Sequence, residues 1–340
     1  MVAALAALAW LMTSFGCTSA TIEEQDTDPR FEIVDGRGDY EWEPDTGWVR
    51  PEGGAWGASD TVRRESGEAL QAEAYADALV GYLELESRIE EGDTSIAEIQ
   101  FNIAECYYNL GHYDEAVDYY RRVYREGKPE ENIAAAARQR VYEIAMDFLH
   151  GRSACRTLGF RHTCPRHGIK LLLDEEDGLI REYPFLSFAD EALMEIGQYY
   201  YEDKQYPEAV PIYEQIVNEY STPGFSTWTG PAQFQLGLCW YQQVRGADYD
   251  ERTIHRAIKE FSRYQEIGGA HTQDAGDYIR ELREMLAAKY LRIAKFYLRE
   301  SEPRAARIYL REVLDRFTNS TAAREAREIQ RQLDRLAVGG

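Results

Sequence analysis

Side chains that could do covalent or metal chemistry concentrate in residues 150–168, which hold three of the six His, two of the five Cys and four Arg. Three interpretations of this insertion remain open. A disulfide between Cys155 and Cys164 would close the loop in an oxidising compartment. A zinc site would use both cysteines with two histidines, but their spacing matches no standard Cys-x2-Cys arrangement. The third is a basic hairpin with reduced cysteines, whose arginines would also suit an anionic lipid or protein partner.

The rest of the sequence offers no catalytic constellation. It contains no Gly-rich phosphate loop, no His-Glu-x-x-His and no Gly-x-Ser-x-Gly motif. Adjacent acids such as Glu130-Glu131 are usually solvated, and Cys106 and Cys239 occupy equivalent positions that suit buried apolar sites. We therefore predict a protein that is not an enzyme and uses no cofactor. A metal or redox enzyme built on residues 150–168 is the outside alternative.

The N-terminus has the character of a targeting segment. Residues 1–17 carry no charged side chain, and residues 2–12 are an apolar run too short to span a bilayer. The run leads into Ser14-Phe15-Gly16-Cys17, which resembles the bacterial lipoprotein signal. That resemblance implies that Cys17 is acylated and becomes the mature N-terminus, and that Thr18 favours sorting to an outer membrane. An ordinary secretory signal and an uncleaved segment are the alternatives.

Residues 18–58 are predicted to be a tether between this signal and the folded body. The stretch is rich in Gly and Pro, shows no helical period, and holds eleven acids against three bases within residues 18–52. Trp42, Trp48 and Trp56 are unusual for a linker. They either dock on the body or on a partner through their rings, or collapse locally without a specific function.

The charge of the chain limits the kinds of partner that it can bind. The formal net charge is −22 and 44% of the residues are hydrophobic. This apolar content is too high for a wholly disordered chain, and the acidity argues against binding to a phosphate backbone. Residues 281–340 differ, because they hold 13 Lys and Arg against nine Asp and Glu. We expect protein partners and a membrane contact through the lipid anchor, but neither a nucleic acid nor a small-molecule substrate.

From about residue 60 the sequence repeats. Residues 101–123 and 193–216 share a small residue, two Tyr, an Ala, another Tyr and an aliphatic residue at identical spacing. This is the tetratricopeptide pattern, in which each repeat of about 34 residues forms two helices joined by a turn. We predict an all-α fold in which residues 59–340 form a right-handed tetratricopeptide α-solenoid. It would have about five or six helix pairs and a capping helix near 321–336.

Small residues mark the points at which paired helices should cross closely. Ala104 and Gly197 occupy one such position on the first helix of a pair, and Ala116 and Ala209 occupy another on the second helix. Tyr residues at fixed offsets would fill the space between the two helices. Close crossings at these four positions are therefore a direct prediction of the repeat.

Stacked repeats create a concave surface on which a partner can bind. Tyr and acidic residues there suit an extended peptide held by ring contacts and hydrogen bonds. A solvated groove with chance aromatics is the plainer alternative. The positions predicted to face this groove are Phe101, Glu105, Tyr108, Asn109, Met194, Gln198, Tyr201, Glu202, Lys295 and Arg299.

The later repeats follow a distinctive order. A repeat ending at Glu219-Tyr220-Ser221 precedes an enlarged turn at residues 248–252. Leu282-Arg283-Glu-Met-Leu286-Ala287 comes next, and an aromatic-rich last repeat runs to residues 313–317. This succession resembles the BamD family, the tetratricopeptide lipoproteins of the outer-membrane β-barrel assembly machine. With the lipoprotein-type start, the resemblance covers about residues 95–335.

The resemblance implies a lipid-anchored protein on the periplasmic face of the outer membrane that helps to deliver or fold β-barrel proteins. The implied partners are a barrel-assembly protein and unfolded outer-membrane clients. The sequence departs from the family at Tyr220-Ser221, where Tyr-Pro is usual, and at Lys289-Tyr290, where His-Glu is common. A general periplasmic tetratricopeptide adaptor for cell-wall or secretion complexes is the alternative function.

Overall fold

The computed structural model describes residues 41–43, 47–49, 59–88, 96–126, 129–157, 160–222, 226–246 and 251–338, with the backbone alone at 41–43, 47–49, 59–61, 154–161 and 336–338. The chain divides into two compact units, Met1–Pro184 and Phe185–Gly340. The described residues are helical apart from turns, connecting segments and two short antiparallel hairpins. The predicted all-α fold of helix pairs is therefore confirmed.

In the described part of the first unit, six long helices form three pairs, and a single helical turn follows them. The helices are α1 (Ser59–Gln71), α2 (Tyr75–Arg88), α3 (Ile96–Asn109), α4 (Tyr113–Arg125), α5 (Glu131–Leu149), α6 (Pro165–Leu173) and α7 (Leu179–Glu182). α1 packs against α2, α3 against α4, and α5 against α6. Because α2 also packs on α3 and α4 on α5, the pairs stack in chain order.

The second unit repeats this plan and ends in a closing helix. Its described helices are α8 (Ala189–Glu202), α9 (Tyr206–Glu219), α10 (Thr229–Gln242), α11 (Glu251–Ile267), α12 (Thr272–Arg299), α13 (Pro303–Arg316) and α14 (Thr321–Val338). α8 pairs with α9, α10 with α11, and α12 with α13. α14 packs on both α13 and α12 through buried Ala322, Ala323 and Ala326, which confirms the predicted capping helix.

The small residues of the repeat lie where paired helices cross. A Cβ placed on Gly197 in α8 would lie 2.6 Å from Cε1 of Tyr213 in α9. A Cβ on Gly237 in α10 would lie 2.7 Å from Cδ1 of Phe261 in α11. Both rings are fully buried, so neither has room to withdraw. The predicted close crossing is confirmed at Gly197. Ala104, Ala116 and Ala209 are fully buried, and a close crossing at those three positions stays a prediction.

The turns inside four helix pairs share one backbone conformation. The residue two positions before the second helix has a positive φ at Glu73 (59°), Gly111 (79°), Lys204 (59°) and Ser301 (62°). This left-handed conformation lets the turn cap the carbonyl end of the first helix, and glycine adopts it most easily. Only one of these four turns uses glycine, so the conformation is imposed by the helix pairing more than by residue type.

Residues 18–58, the predicted tether, contain one described element. Strands β1 (Glu41–Glu43) and β2 (Gly47–Val49) form an antiparallel hairpin in which Trp42 is the Cα partner of Trp48. The sequence analysis did not predict this hairpin. Trp56 and the ring positions lie outside the described residues, so docking of the tryptophans stays a prediction.

The insertion forms a second hairpin between α5 and α6. Strands β3 (Ala154–Thr157) and β4 (Phe160–Thr163) pair antiparallel, with Cys155 opposite His162. α6 then begins at Pro165, before the predicted end of the insertion at residue 168. Proline at the first position of a helix is favourable because its missing N–H would have no partner there.

Candidate functional site

In the first unit the predicted groove position Glu105 is already bound within the protein. Arg140 of α5 donates to both carboxylate oxygens, from Nε to Oε1 at 2.8 Å and from Nη2 to Oε2 at 3.0 Å. The hydroxyl of Tyr120 in α4 donates to Oε1 at 2.7 Å. The Glu105 side chain is only 15% exposed, so these charge-assisted bonds fasten three helices together.

The other predicted residues of this unit join the same set of contacts. The Arg140 guanidinium lies 5.0 Å from the centre of the Tyr108 ring, in a cation–π arrangement. The ring of Phe101 meets that of Tyr120 edge-on, with their centres 5.6 Å apart. Asn109 is exposed and donates to the backbone carbonyl of Glu105 at 2.7 Å. The structure thus brings the predicted residues of α3 together, but as a closed network.

The second unit carries a counterpart of this face in which Gln198 takes the repeat position of Glu105. The Gln198 amide donates to Glu202 at 2.8 Å, and the Gln235 amide of α10 reaches the Gln198 oxygen at 3.5 Å, which is long for a hydrogen bond. Tyr201 meets Tyr206 edge-on at 5.4 Å between ring centres. Met194, like Gln198 and Tyr201, is half-buried. No ion pair among the described residues closes this face as Arg140 closes the first.

Buried polar atoms of the second face lack partners. Among the described residues, neither the Tyr213 hydroxyl nor the Gln235 Oε1 makes a hydrogen bond, although both atoms are buried. Tyr213 occupies the repeat position of Tyr120, whose hydroxyl has Glu105 as its acceptor. Leaving a buried donor or acceptor unsatisfied costs about 1–3 kcal/mol. Sequence position alone gave no sign of this difference between the repeats.

The two equivalent tyrosines should respond oppositely to loss of the hydroxyl. Tyr120→Phe should lower the free energy of unfolding by about 1–2 kcal/mol, because Glu105 loses one of its donors. Tyr213→Phe removes an unpaired hydroxyl and should leave stability unchanged or raise it. Urea unfolding of both variants followed by circular dichroism checks this pair. Equal losses in both would mean that the Tyr213 hydroxyl has a partner after all.

Lys295 and Arg299 do not join either face by any described contact. The Lys295 Nζ lies 2.6 Å from Glu325 Oε1 of the closing helix, so this lysine joins α12 to α14. Arg299 is exposed at the last residue of α12. For these two residues the groove assignment stays a prediction, and the described contact gives Lys295 a structural role.

The sequence analysis missed a polar cluster around Glu251, the first residue of α11. Lys289 Nζ donates to its Oε2 at 2.7 Å, and the Tyr290 hydroxyl donates to its Oε1 at 2.7 Å. The hydrogen bond from Lys289, followed by that from Tyr290, lowers the pKa of the Glu251 carboxyl to about 2. Lys289-Tyr290 is where the sequence departs from the BamD pattern, and here the pair anchors the end of the enlarged turn.

The Glu251 cluster makes the free energy of unfolding depend on pH in the acidic range. Its folded pKa lies below the ordinary value of 4.5, so its contribution is complete above that pH and is lost as pH falls from 4.5 towards 2. Because the side chain is 32% exposed, we expect Glu251→Gln to cost only about 1 kcal/mol at pH 7. Urea unfolding at pH 7 and pH 3 should show the difference from the wild type shrinking. Glu266→Gln, an exposed change in the same helix, should show no such pH dependence.

A basic cavity lies within the second unit. It encloses about 250 Å³ between α12 and the turn from α13 to α14, and its lining includes Arg280, Arg283 and Arg316. Glu284 also lines it, but this carboxylate accepts from the backbone N–H and hydroxyl of Thr321 at the start of α14. Two of these arginines already have acidic partners within the protein, because Arg280 pairs with Asp277 and Arg316 pairs with Glu312.

The cysteines separate into two kinds. Cys106 and Cys239 are free and fully buried, and desolvation by burial raises the pKa of each thiol to about 12. Cys164 is disulfide-bonded, whereas the side chain of Cys155 lies outside the described residues. The pairing of Cys155 with Cys164 thus stays a prediction. Within the described residues no group of three or more His, Cys, Asp or Glu is placed to hold a metal ion.

Comparison with known proteins gives two family matches. Residues 175–337 match the YfiO family, described as outer membrane lipoprotein, and residues 97–127 match the tetratricopeptide repeat. They confirm the resemblance to BamD-like tetratricopeptide lipoproteins. No curated protein matches the sequence.

One solved structure, the crystal structure of the apo form of RapI, aligns at 14% identity over 79% of this chain and 99% of its own. Its TM-score of 0.29 is too low to bear on fold or function. Among the described helices, none combines the length and apolar character that crossing a membrane requires.

Proposed function

We propose that the chain is a lipid-anchored tetratricopeptide scaffold that takes part in assembling outer-membrane β-barrel proteins, because residues 175–337 match the YfiO family, described as outer membrane lipoprotein. The family match is the observation that carries this proposal. The helix pairs support it, because stacked pairs of this kind present extended faces to protein partners. Neither unit needs a cofactor for such a role.

The anchor is proposed at Cys17, on the periplasmic face of the outer membrane. Several acyl chains on one cysteine hold a protein on a bilayer without a spanning helix. Expressed in a bacterium with lipoprotein processing, the full chain should sediment with the outer membrane, and Cys17→Ser should shift it to the soluble fraction or leave it unprocessed. Mass measurement of the mature N-terminus supplies the decisive control. An unmodified Cys17 would remove the anchor from the proposal.

Client binding is proposed on the face of the second unit formed by Met194, Gln198, Tyr201 and Gln235. An extended peptide offers backbone N–H and C=O groups, which amide side chains and ring edges suit. The face of the first unit is less suited, because Arg140 and Tyr120 already occupy Glu105. The proposed site is therefore polar and partly aromatic, with the Glu202 carboxylate beside it.

A closing variant tests this site. Gln198→Glu with Gln235→Arg would reproduce the ion pair of the first unit and give Tyr213 an acceptor. Gln198→Glu also gives up the amide's hydrogen bond to Glu202, which offsets the gain from the new ion pair, so we expect little change in stability. Binding of an unfolded β-barrel protein, measured by fluorescence titration, should weaken. Gln273→Glu with Gln332→Arg makes the same changes at exposed positions and should bind normally. Equal binding by the wild type, the closing variant and the control variant would show that the client binds to another surface.

The assembly role itself is tested by purification from membranes. The tagged full chain, solubilised in detergent, should recover a barrel-assembly protein. Its repeated absence would favour the alternative, a general adaptor for cell-wall or secretion complexes.

A further inference from the structure

The insertion between α5 and α6 is positively charged, whereas the protein as a whole is acidic. Residues 150–168 contain four Arg and no Asp or Glu, whereas the chain carries a net charge of −22. Insertions within repeat arrays map to loops, often on a binding face. The charge of this one favours an anionic partner that the rest of the chain repels.

The base of the hairpin is firmly held on the first unit. The backbone N–H groups of Arg152 and Ser153 donate to the Asp147 carbonyl at 2.8 and 3.1 Å, and Arg152 Nε lies 2.8 Å from Asp147 Oδ1. Beyond the second strand, His167 in the first turn of α6 places its Nε2 2.9 Å from Asp114 Oδ1 of α4. With Cys164 disulfide-bonded as well, the two strands leave the helices from a fixed base.

The strand register brings two of the arginines together. Arg156 is the Cα partner of Arg161. Like charges at directly opposed positions of an antiparallel pair are unfavourable, so this register favours an anionic ligand beside the two residues. Guanidinium groups bind phosphate oxygens through two parallel hydrogen bonds, which makes a phosphate a fitting ligand.

The neighbouring residues favour a lipid phosphate over an acidic protein. Phe160 lies between the two arginines in sequence and pairs with Thr157, and the sequence joins the strands by Leu158-Gly159. Hairpin turns usually use Asn-Gly or Asp-Gly, whereas apolar side chains next to arginines are typical of segments that enter a membrane interface. In such segments arginine lies among the lipid phosphates, and the apolar side chains lie deeper, among the acyl chains.

We propose that the β3–β4 hairpin binds the phosphate headgroups of anionic phospholipids through Arg156 and Arg161, as a second membrane contact. The inference rests on the proposed function only in supposing that the protein works beside a membrane. The hairpin would then fix how the first unit lies against the bilayer, which a flexible lipid anchor alone does not do.

Vesicle flotation of the full chain carrying Cys17→Ser tests the hairpin without the anchor. Vesicles of phosphatidylcholine with about 30% phosphatidylglycerol are compared with vesicles of pure phosphatidylcholine. The readout is the difference in binding between the two kinds of vesicle, because the apolar residues 2–12 can insert into both. Arg156→Gln with Arg161→Gln should reduce the binding that depends on the anionic lipid about 25-fold, from a roughly fivefold loss for each arginine. Higher salt should weaken the binding of the unchanged hairpin.

The matched control is Arg64→Gln with Arg331→Gln, which removes the same charge from side chains that are 64% and 65% exposed. It should bind as well as the parent. Equal loss in both variants, or no loss in the hairpin variant, would overturn the proposal and leave an acidic protein as the candidate partner. Because Cys17 is replaced throughout, neither result bears on the anchor or on barrel assembly.

Discussion

Replacing Gly168 with alanine should strongly destabilise the first unit. The Cβ would lie 2.2 Å from the Ala145 carbonyl oxygen and 3.0 Å from the Leu149 nitrogen, both in the backbone of α5. A side chain can rotate away from such a clash, but a helix backbone moves only as a whole. Overpacking of this kind costs about 1–3 kcal/mol or more, against about 1 kcal/mol gained in helix propensity.

We therefore expect Gly168→Ala to lower the free energy of unfolding by about 2 kcal/mol, measured by urea unfolding. Gly230→Ala in α10 is the matched control, because its Cβ would meet nothing closer than 3.9 Å. That change should be neutral or stabilising. A stable Gly168→Ala protein would show that α5 and α6 pack less closely than described.

The second large effect is expected at Arg140. Arg140→Met keeps most of the side-chain volume but removes both hydrogen bonds to Glu105, leaving a largely buried carboxylate with only the Tyr120 hydroxyl. Removing one partner of a buried ion pair costs 3–5 kcal/mol, and the 35% exposure of Arg140 reduces our expectation to about 2 kcal/mol.

Two comparisons separate this effect from general loss of charge. Arg64→Met removes an exposed pair with Glu68 at 3.5 Å and should change unfolding by less than about 0.5 kcal/mol. Adding Glu105→Gln to Arg140→Met should recover part of the loss, because the uncompensated charge is gone. If Arg140→Met unfolds like the wild type, Glu105 is solvated and the first face is open.

Much of the fold could be predicted because small and aromatic residues recur at fixed spacing in each repeat. Gly197 marks a close crossing, where an added Cβ would lie 2.6 Å from the Tyr213 ring, and the fully buried Ala104 holds the same position in its own repeat. The left-handed turns at Glu73, Lys204 and Ser301 could not be predicted from residue type. Their conformation follows from pairing the helices, which is a tertiary effect.

The candidate site was less predictable, because its properties depend on partners from other repeats. Glu105 and Gln198 hold the same repeat position, but only Glu105 meets an arginine from the next pair. Lys295 was assigned to the groove by position, whereas its described ion pair is with Glu325. Position within a repeat predicts which face of its helix a residue lies on. Whether the polar groups of that face are already paired depends on residues of the next helix pair, 35 or more positions away.

The most direct test of the central claim is depletion of this protein from the bacterium that produces it. The folded fraction of outer-membrane β-barrel proteins is then measured by its heat-dependent mobility on gels. A scaffold of barrel assembly predicts that this fraction falls severalfold and that the wild-type chain restores it. An unchanged folded fraction after complete depletion would contradict a role in β-barrel assembly.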